Sequence, residues 1–115
     1  MTDVNHERYL LEHEIVNRLH RYAAKGQCAA ANEMKTFENL VCNMLPDFYA
    51  FVEKKNLTDQ EAFVCYLTRL RFIPTEIASL LGLSKQRVSN MRSNINKKVF
   101  RAVGTKSFTA NIYRV

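Results

Sequence analysis

A run of polar and basic residues between Ser84 and Arg101 carries the side chains of this 115-residue chain that are best suited to recognise another molecule. The run contains amide, hydroxyl and cationic side chains but neither Asp nor Glu. Asn and Gln can form two hydrogen bonds with the edge of an adenine, and Arg can do the same with guanine. Lys and Arg neutralise phosphates, which an acidic residue on the same surface would repel. The composition of the run therefore indicates contact with nucleic acid.

Apolar residues within this run show which side of a helix would face outward. If Val88, Met91 and Ile95 face the core, a rotation of about 100° per residue turns the polar side chains outward. Asn96 is expected on one flank of that outward side. The predicted DNA contacts, including flanking cations and the hydroxyl before the helix, are Ser84, Lys85, Gln86, Arg87, Ser89, Asn90, Ser93, Lys97, Lys98 and Arg101. The alternative is a solvated helix face, which would normally mix Glu with Lys.

The residues just before this run have the spacing of a helix-turn-helix. Ala78 is small enough for two helices to cross closely, and Gly82 suits a left-handed helix end. Val88 would be the first buried side chain of the second helix, which Ser84 can cap. A helix-turn-helix commonly places its second helix in the major groove of DNA, so residues 85–100 are predicted to form a recognition helix. A plain helical hairpin in an all-α protein is the competing interpretation.

Helical periodicity continues through the rest of the chain, and only three Gly and two Pro interrupt it. The fold class is therefore predicted to be all-α. Thr58 and Glu61 have the spacing of a capping box, while Pro46 and Pro74 suit the first turns of helices. The predicted helices cover residues of about 5–25, 28–45, 46–55, 58–71, 74–81, 85–100 and 107–113.

The first predicted helix carries an apolar stripe formed by Leu11, Ile15, Leu19 and Tyr22. A single helix-turn-helix makes few base contacts, so two copies about one turn of DNA apart normally act together. We therefore predict a homodimer formed through this stripe. The alternative is that the stripe covers the core of its own chain.

The histidines and cysteines lack the spacing of a metal site. His6, His13 and His20 line one side of the first predicted helix, too far apart along its axis to share one ion, and are interpreted as solvated. The three cysteines include no CxxC pair and are interpreted as buried thiols in a reducing cytoplasm. Neither a catalytic cluster nor a Gly-rich phosphate loop is present. No metal, other cofactor or catalytic activity is therefore expected.

Positive charge is concentrated in the second half of the chain. Residues 57–115 contain ten Lys or Arg and three Asp or Glu, a net charge of +7, whereas residues 1–56 have a net charge of −1. A charge that served solubility alone would be more evenly distributed, so double-stranded DNA is the expected partner. The N-terminus does not resemble a signal peptide, and no apolar run reaches roughly 18–20 residues. A cytoplasmic protein without membrane contact is expected.

The segment from 57 to 100 resembles the four-helix DNA-binding domain of the LuxR/GerE response-regulator family. The matching pieces are LTDQE at 57–61, EIASLLGLS at 76–84, and VSN at 88–90 followed by SNINKKV at 93–99. The stretch before them, with its Leu-Pro-Asp-Phe-Tyr segment, is similar to the C-terminal regions of some large bacterial sensor-regulators. The resemblance implies a bacterial transcription factor that binds DNA as a dimer, with its second motif helix in the major groove.

Carried over by position, the resemblance implies that Arg87, Ser89, Asn90 and Met91 face DNA. Met91 stands where many members of the family have His, and helical periodicity turns it partly inward, so it is left out of the predicted contacts. Ile73 stands where Ser or Thr commonly caps the first motif helix. The last predicted helix, whose counterpart is a common dimer surface in the family, is weak in this sequence.

These features together predict two regions. Residues 1–56 would form a helical extension that serves as a dimerisation or linker region, and residues 57–115 a LuxR-like helix-turn-helix DNA-binding domain. The predicted function is sequence-specific regulation of transcription, with an upstream sensor domain as a further partner if the natural chain is longer. Two alternatives stay open: a helical protein-interaction or assembly module with a degenerate helix-turn-helix, and a domain like region 4 of a sigma factor.

Overall fold

From residue 31 onward, the helices of the fold follow the predicted bounds closely. The structure is a computed structural model, and it describes Tyr9 and residues 13–115. Within those residues all regular secondary structure is helical, which confirms the predicted all-α class. Seven helices have bounds in the described part, namely α1 (Glu14–Ala24), α2 (Ala31–Met44), α3 (Pro46–Glu53), α4 (Asp59–Arg69), α5 (Pro74–Leu81), α6 (Lys85–Phe100) and α7 (Phe108–Tyr113).

Local sequence explains where the helices begin. The Oγ1 of Thr58 accepts a hydrogen bond from the Glu61 N–H at 3.2 Å, and Oε1 of Glu61 accepts the Thr58 N–H at 2.9 Å. These two bonds form the predicted capping box at the start of α4. Pro46 and Pro74 occupy the first turns of α3 and α5, where a helix has no internal partner for an N–H. At α1, His13 is extended and its Nδ1 accepts the N–H of Ile15, so this helix begins at Glu14 and the predicted continuous helix over about 5–25 was wrong at this point. Residue 5, the predicted start, lies outside the described residues.

The central helix of the fold is α4, which contacts α2, α3, α5, α6 and α7. Its residues Val64, Tyr66 and Leu67 are almost completely buried. One hydrophobic core includes residues from Ile15 in α1 to Ile112 in α7. The core therefore draws on both sides of the predicted boundary at residue 56, and that division of the chain stays a prediction.

The N-terminal helix α1 packs most extensively against α5 and so connects to the helix-turn-helix. Ile15 and Leu19 of its apolar stripe are buried, and Tyr22 is half-buried. These residues thus cover the core of their own chain, which was the alternative to a dimer contact. Leu11 lies outside the described residues.

His20 is not a solvated side chain, and its predicted role was wrong. Its Nδ1 lies 2.9 Å from Oε2 of Glu76, and its ring stacks on Phe72 with the centroids 3.9 Å apart. Glu76 also takes over the capping that Ile73 cannot provide, because its Oε1 accepts the Ile73 N–H at 3.0 Å. Periodicity within α1 does not reveal a partner on another helix. His6 lies outside the described residues.

The three cysteines form no disulfide and differ in exposure. Cys65 is buried, Cys42 is half-buried, and Cys28 is exposed, contrary to the expectation that all three are buried. Burial raises the pKa of the Cys65 thiol to about 12, because a thiolate there would lose its solvation. Among the described residues, no group of His, Cys, Asp or Glu is arranged to hold a metal ion. The described helices include none with the length and apolar character that crossing a membrane requires.

Candidate nucleic-acid interface

The turn between α5 and α6 sets the direction in which α6 leaves the core. Gly82 has the predicted left-handed conformation, with φ of +67°. The Leu83 N–H donates to the Ala78 carbonyl at 2.9 Å and the Gly82 N–H to the Ser79 carbonyl at 3.3 Å, the paired bonds of a glycine-terminated helix. A Cβ at Gly82 would lie 3.1 Å from Sγ of Cys28. Backbone conformation and a close neighbour therefore both favour glycine.

Ser84 begins α6 as its sequence predicts. Its Oγ accepts a hydrogen bond from the Arg87 N–H at 3.0 Å and so satisfies one of the donors exposed at the helix start. Val88, Met91 and Ile95 are buried, as expected from their spacing. Together the cap and these apolar contacts fix the rotation of α6 about its own axis.

The side of α6 opposite the buried residues is exposed to solvent. The helix has 16 residues and is therefore about 24 Å long. Ser93, predicted to point outward, is half-buried at the edge of this side. The remaining predicted contacts are all exposed, and we call them the α6 outward face: Ser84, Lys85, Gln86, Arg87, Ser89, Asn90, Lys97, Lys98 and Arg101.

The two amide side chains at the centre of the α6 outward face are bonded to each other. Nε2 of Gln86 donates to Oδ1 of Asn90 at 2.9 Å, across one turn of the helix. The bond leaves Asn90 with its Nδ2 donors and a second lone pair on Oδ1. Asn90 therefore keeps the donor and acceptor that a two-bond contact with adenine requires, and Gln86 holds its amide in place.

The cations of the α6 outward face do not have equal surroundings. Nζ of Lys98 lies 3.7 Å from Oε1 of Glu61, which reaches the face from α4. Arg87 and Lys97 form no ion pair with any described residue. Glu61, Asn94 and the two lysines line a shallow depression at this end of the face. The sequence of α6 contains no acidic residue, and only the fold brings one beside it.

Asn96 does not lie on a flank of the outward face, and that prediction was wrong. The structure buries it completely. Its Nδ2 donates to the Gly104 carbonyl at 3.0 Å and to Oγ of Ser107 at 3.1 Å, while its Oδ1 accepts from Nδ2 of Asn111 at 2.9 Å. The chain after α6 folds back over this flank, and helical periodicity cannot show where that later segment docks.

Comparisons with known proteins add no further information about this surface. No family model, no curated protein and no solved structure matches the chain. The exposure, hydrogen bonds and charge of the α6 outward face therefore indicate which partner it can bind.

Proposed function

We propose that this chain is a sequence-specific DNA-binding regulator of transcription that lays α6 in the major groove. The observation that carries the proposal is the α6 outward face, on which amides, hydroxyls and cations are exposed along one side of a capped helix. The major groove is about 12 Å wide and admits an α-helix. The resemblance of residues 57–100 to LuxR/GerE domains supports the same orientation.

Base reading would centre on Asn90. Its hydrogen bond with Gln86 reduces the freedom of the amide before DNA arrives, so less conformational entropy is lost on binding. A bidentate contact with adenine would then use Nδ2 and the second lone pair of Oδ1. Arg87 and Ser89 would contact neighbouring positions on either side.

Phosphate contacts would surround this centre. The start of α6 at Ser84 presents backbone N–H groups and the positive end of the helix dipole, which suit a phosphate. Lys85, Lys97 and Arg101 would bind backbone phosphates on the two sides of the groove. Lys98 would contribute less than these three, because its charge is partly neutralised by Glu61.

We further propose that two copies bind together to a site with two halves, in the cytoplasm of a bacterium and without catalysis. One recognition helix reads few bases, so a second copy about one helical turn away adds specificity. Since Leu19 is buried in its own chain, the dimer contact is not assigned to the stripe on α1. Sedimentation with duplexes that carry one or two half-sites measures this stoichiometry, and strictly one copy on a two-half site would contradict it.

The deciding experiment enriches bound duplexes from a random-sequence pool and then compares an enriched duplex with a scrambled one over a range of salt. We expect a recurring motif, and log K should fall linearly with log salt by about 0.9 for each phosphate contacted. Binding that depends on salt but not on sequence would contradict base reading. No binding to any duplex would contradict the whole proposal and favour the protein-interaction alternative.

A further inference from the structure

A small cavity lies where α4, α5, α6 and α7 meet, on the flank of α6 that faces α7. Its volume is about 100 Å³. A buried water needs roughly 10–15 Å³, and pockets for drug-sized ligands begin at about 300 Å³. The cavity thus has room for several waters, one small ion or a single phosphate group, but not for a base or a sugar. Its polar lining consists of Thr68, Arg71, Arg92, Thr109 and Tyr113.

Arg92 supplies a partly buried positive charge to this cavity. Its Nη2 donates to Oγ1 of Thr109 at 3.1 Å, and its guanidinium carbon lies 5.2 Å from the centre of the Phe108 ring. It forms no ion pair with any described carboxylate, and its Nε is buried without a hydrogen-bond partner among the described residues. Burial lowers the pKa of this guanidinium, yet an arginine stays charged in proteins. Because burial removes part of its solvation, such a guanidinium gains stability from an anionic partner.

Thr68 is a second polar residue of the cavity lining. Its side chain is 3% exposed, and its Oγ1 is buried without a hydrogen-bond partner within the described part of the chain. Buried polar atoms without partners are rare, and a bound water or ion is one common explanation for such an atom. Thr68 comes from α4 and Arg92 from α6, and both residues line the cavity, but Oγ1 of Thr68 and Nε of Arg92 are themselves shielded from it.

The chemistry of the lining selects an acceptor of hydrogen bonds. Nε of Arg92 can only donate, and the hydroxyl of Thr109, which accepts from Arg92, retains its own hydrogen to donate. No acidic residue is among the described residues that line the cavity. Glu76 of the neighbouring α5 has its two oxygens engaged elsewhere. A water would satisfy the donors but leave the charge of Arg92 without a partner.

We propose that this cavity binds a phosphate group, held by Arg92 and the hydroxyls of Thr68 and Thr109. Oγ1 of Thr68 and Nε of Arg92 are both shielded from solvent, so each atom reaches the ion after its side chain rotates. The ion would bond α4, α6 and α7 together. Its source is either free phosphate or a phosphate of the DNA backbone, and only the second source rests on the proposed function.

The test is a titration of the full chain with sodium phosphate, followed by ¹⁵N NMR at constant pH and constant ionic strength. In the wild type we expect saturable shifts of the amides of Thr68, Arg92 and Thr109, together with a rise in Tm, because a ligand that binds only the folded state stabilises it. Thr68→Val keeps the shape of the side chain and removes the unpartnered hydroxyl. It should leave Tm without phosphate unchanged or higher and weaken phosphate binding about tenfold.

Two further variants complete the test. Arg92→Gln should abolish saturable binding of phosphate. If Arg92→Gln does not fold, Thr68→Val alone still tests the proposal. Thr36→Val is the matched control, because Thr36 is exposed and its hydroxyl bonds only to the Asn32 carbonyl of its own helix. Unsaturated shifts at tens of millimolar phosphate, or wild-type binding by Thr68→Val, would overturn the proposal.

Duplex DNA in phosphate-free buffer then identifies the source. If the ion is a backbone phosphate, Thr68→Val weakens duplex binding in this buffer, and phosphate added afterwards competes with the duplex. If the ion is free phosphate, Thr68→Val binds the duplex with the affinity of the wild type, while its affinity for phosphate is still about tenfold lower. A chain that binds phosphate but no duplex would contradict the proposed function alone.

Discussion

Two asparagines on α6 have opposite surroundings. Asn90 is exposed, and its amide bonds to Gln86 within the same helix. Asn96 is completely buried, and its amide bonds to Gly104, Ser107 and Asn111 in the chain that follows. The same side-chain chemistry is therefore available to an outside molecule in one position and already used by the fold in the other.

The same contrast separates two arginines of α6. Arg87 is exposed at the start of the helix, whereas Arg92 is half-buried between the Phe108 ring and the Thr109 hydroxyl. The exposed positions have bonding capacity left for a partner such as DNA. On the flank toward α7, the loss of a polar group also leaves its buried neighbours unsatisfied, which costs stability. Function and stability should therefore separate by the side of α6 that is changed.

The largest effect should come from Asn96→Ala. The substitution removes three hydrogen bonds in a buried site, so we expect a loss of about 2–4 kcal/mol in the free energy of unfolding. Urea denaturation measures it. Asn94→Ala is the matched control, since Asn94 is exposed on the same helix and should change stability by less than about 0.5 kcal/mol. Equally small losses of stability in Asn96→Ala and Asn94→Ala would contradict the contrast between the two sides of α6.

Substitutions in the turn between α5 and α6 should cause the next largest loss of stability. Gly82 and Gly26 have nearly equal φ values, +67° and +68°, but only a Cβ at Gly82 would meet a neighbour, Sγ of Cys28 at 3.1 Å. Both Gly→Ala variants should lose about 1–2 kcal/mol through positive φ, and Gly82→Ala somewhat more. Thermal unfolding compares them. In a Cys28→Ala background, the stability loss caused by Gly82→Ala should fall close to the loss caused by Gly26→Ala. If it does not fall, the contact with Sγ of Cys28 does not contribute to the loss.

Asn90→Ala should affect binding without affecting stability, the reverse of Asn96→Ala. We expect a loss of about 1–3 kcal/mol on the enriched duplex, with a changed preference at one base position. Gln86→Ala should have a smaller effect in the same direction, because it removes only the bond that orients Asn90. Fluorescence anisotropy on enriched and scrambled duplexes measures both variants. Equal weakening on the two duplexes would exclude Asn90 from base reading.

The smallest effect separates two neighbouring lysines. Lys97→Ala should reduce the slope of log K against log salt by about 0.9, the value for one phosphate contact. Lys98→Ala should reduce it by less, because Glu61 lies 3.7 Å from Lys98. In a Glu61→Gln background, which keeps an oxygen for the cap of α4, the two lysines should become equivalent. If Lys97→Ala and Lys98→Ala reduced the slope equally in the wild-type background, the ion pair between Lys98 and Glu61 would have no influence on DNA binding.

The helix pattern and the core of the candidate interface could be predicted because local interactions specify them. Thr58 and Glu61 cap α4 within one turn, and Gly82 and Ser84 end one helix and begin the next. The spacing of apolar residues along α6 then determines which of its polar residues are exposed. Ser93, at the edge of that pattern, is the predicted contact that the structure leaves half-buried.

Only the tertiary structure decided which distant residues meet. It pairs His20 with Glu76, brings Glu61 to Lys98, and buries Asn96 beneath the segment that follows α6. Periodicity reports the side of a helix on which a residue lies, and it contains no information about which other helix docks against that side. The sequence by itself therefore determined the helices, the turn and the exposed face of α6. The packing of α1, α4 and α7 around them determined which polar residues are held within the fold and which are left for a partner.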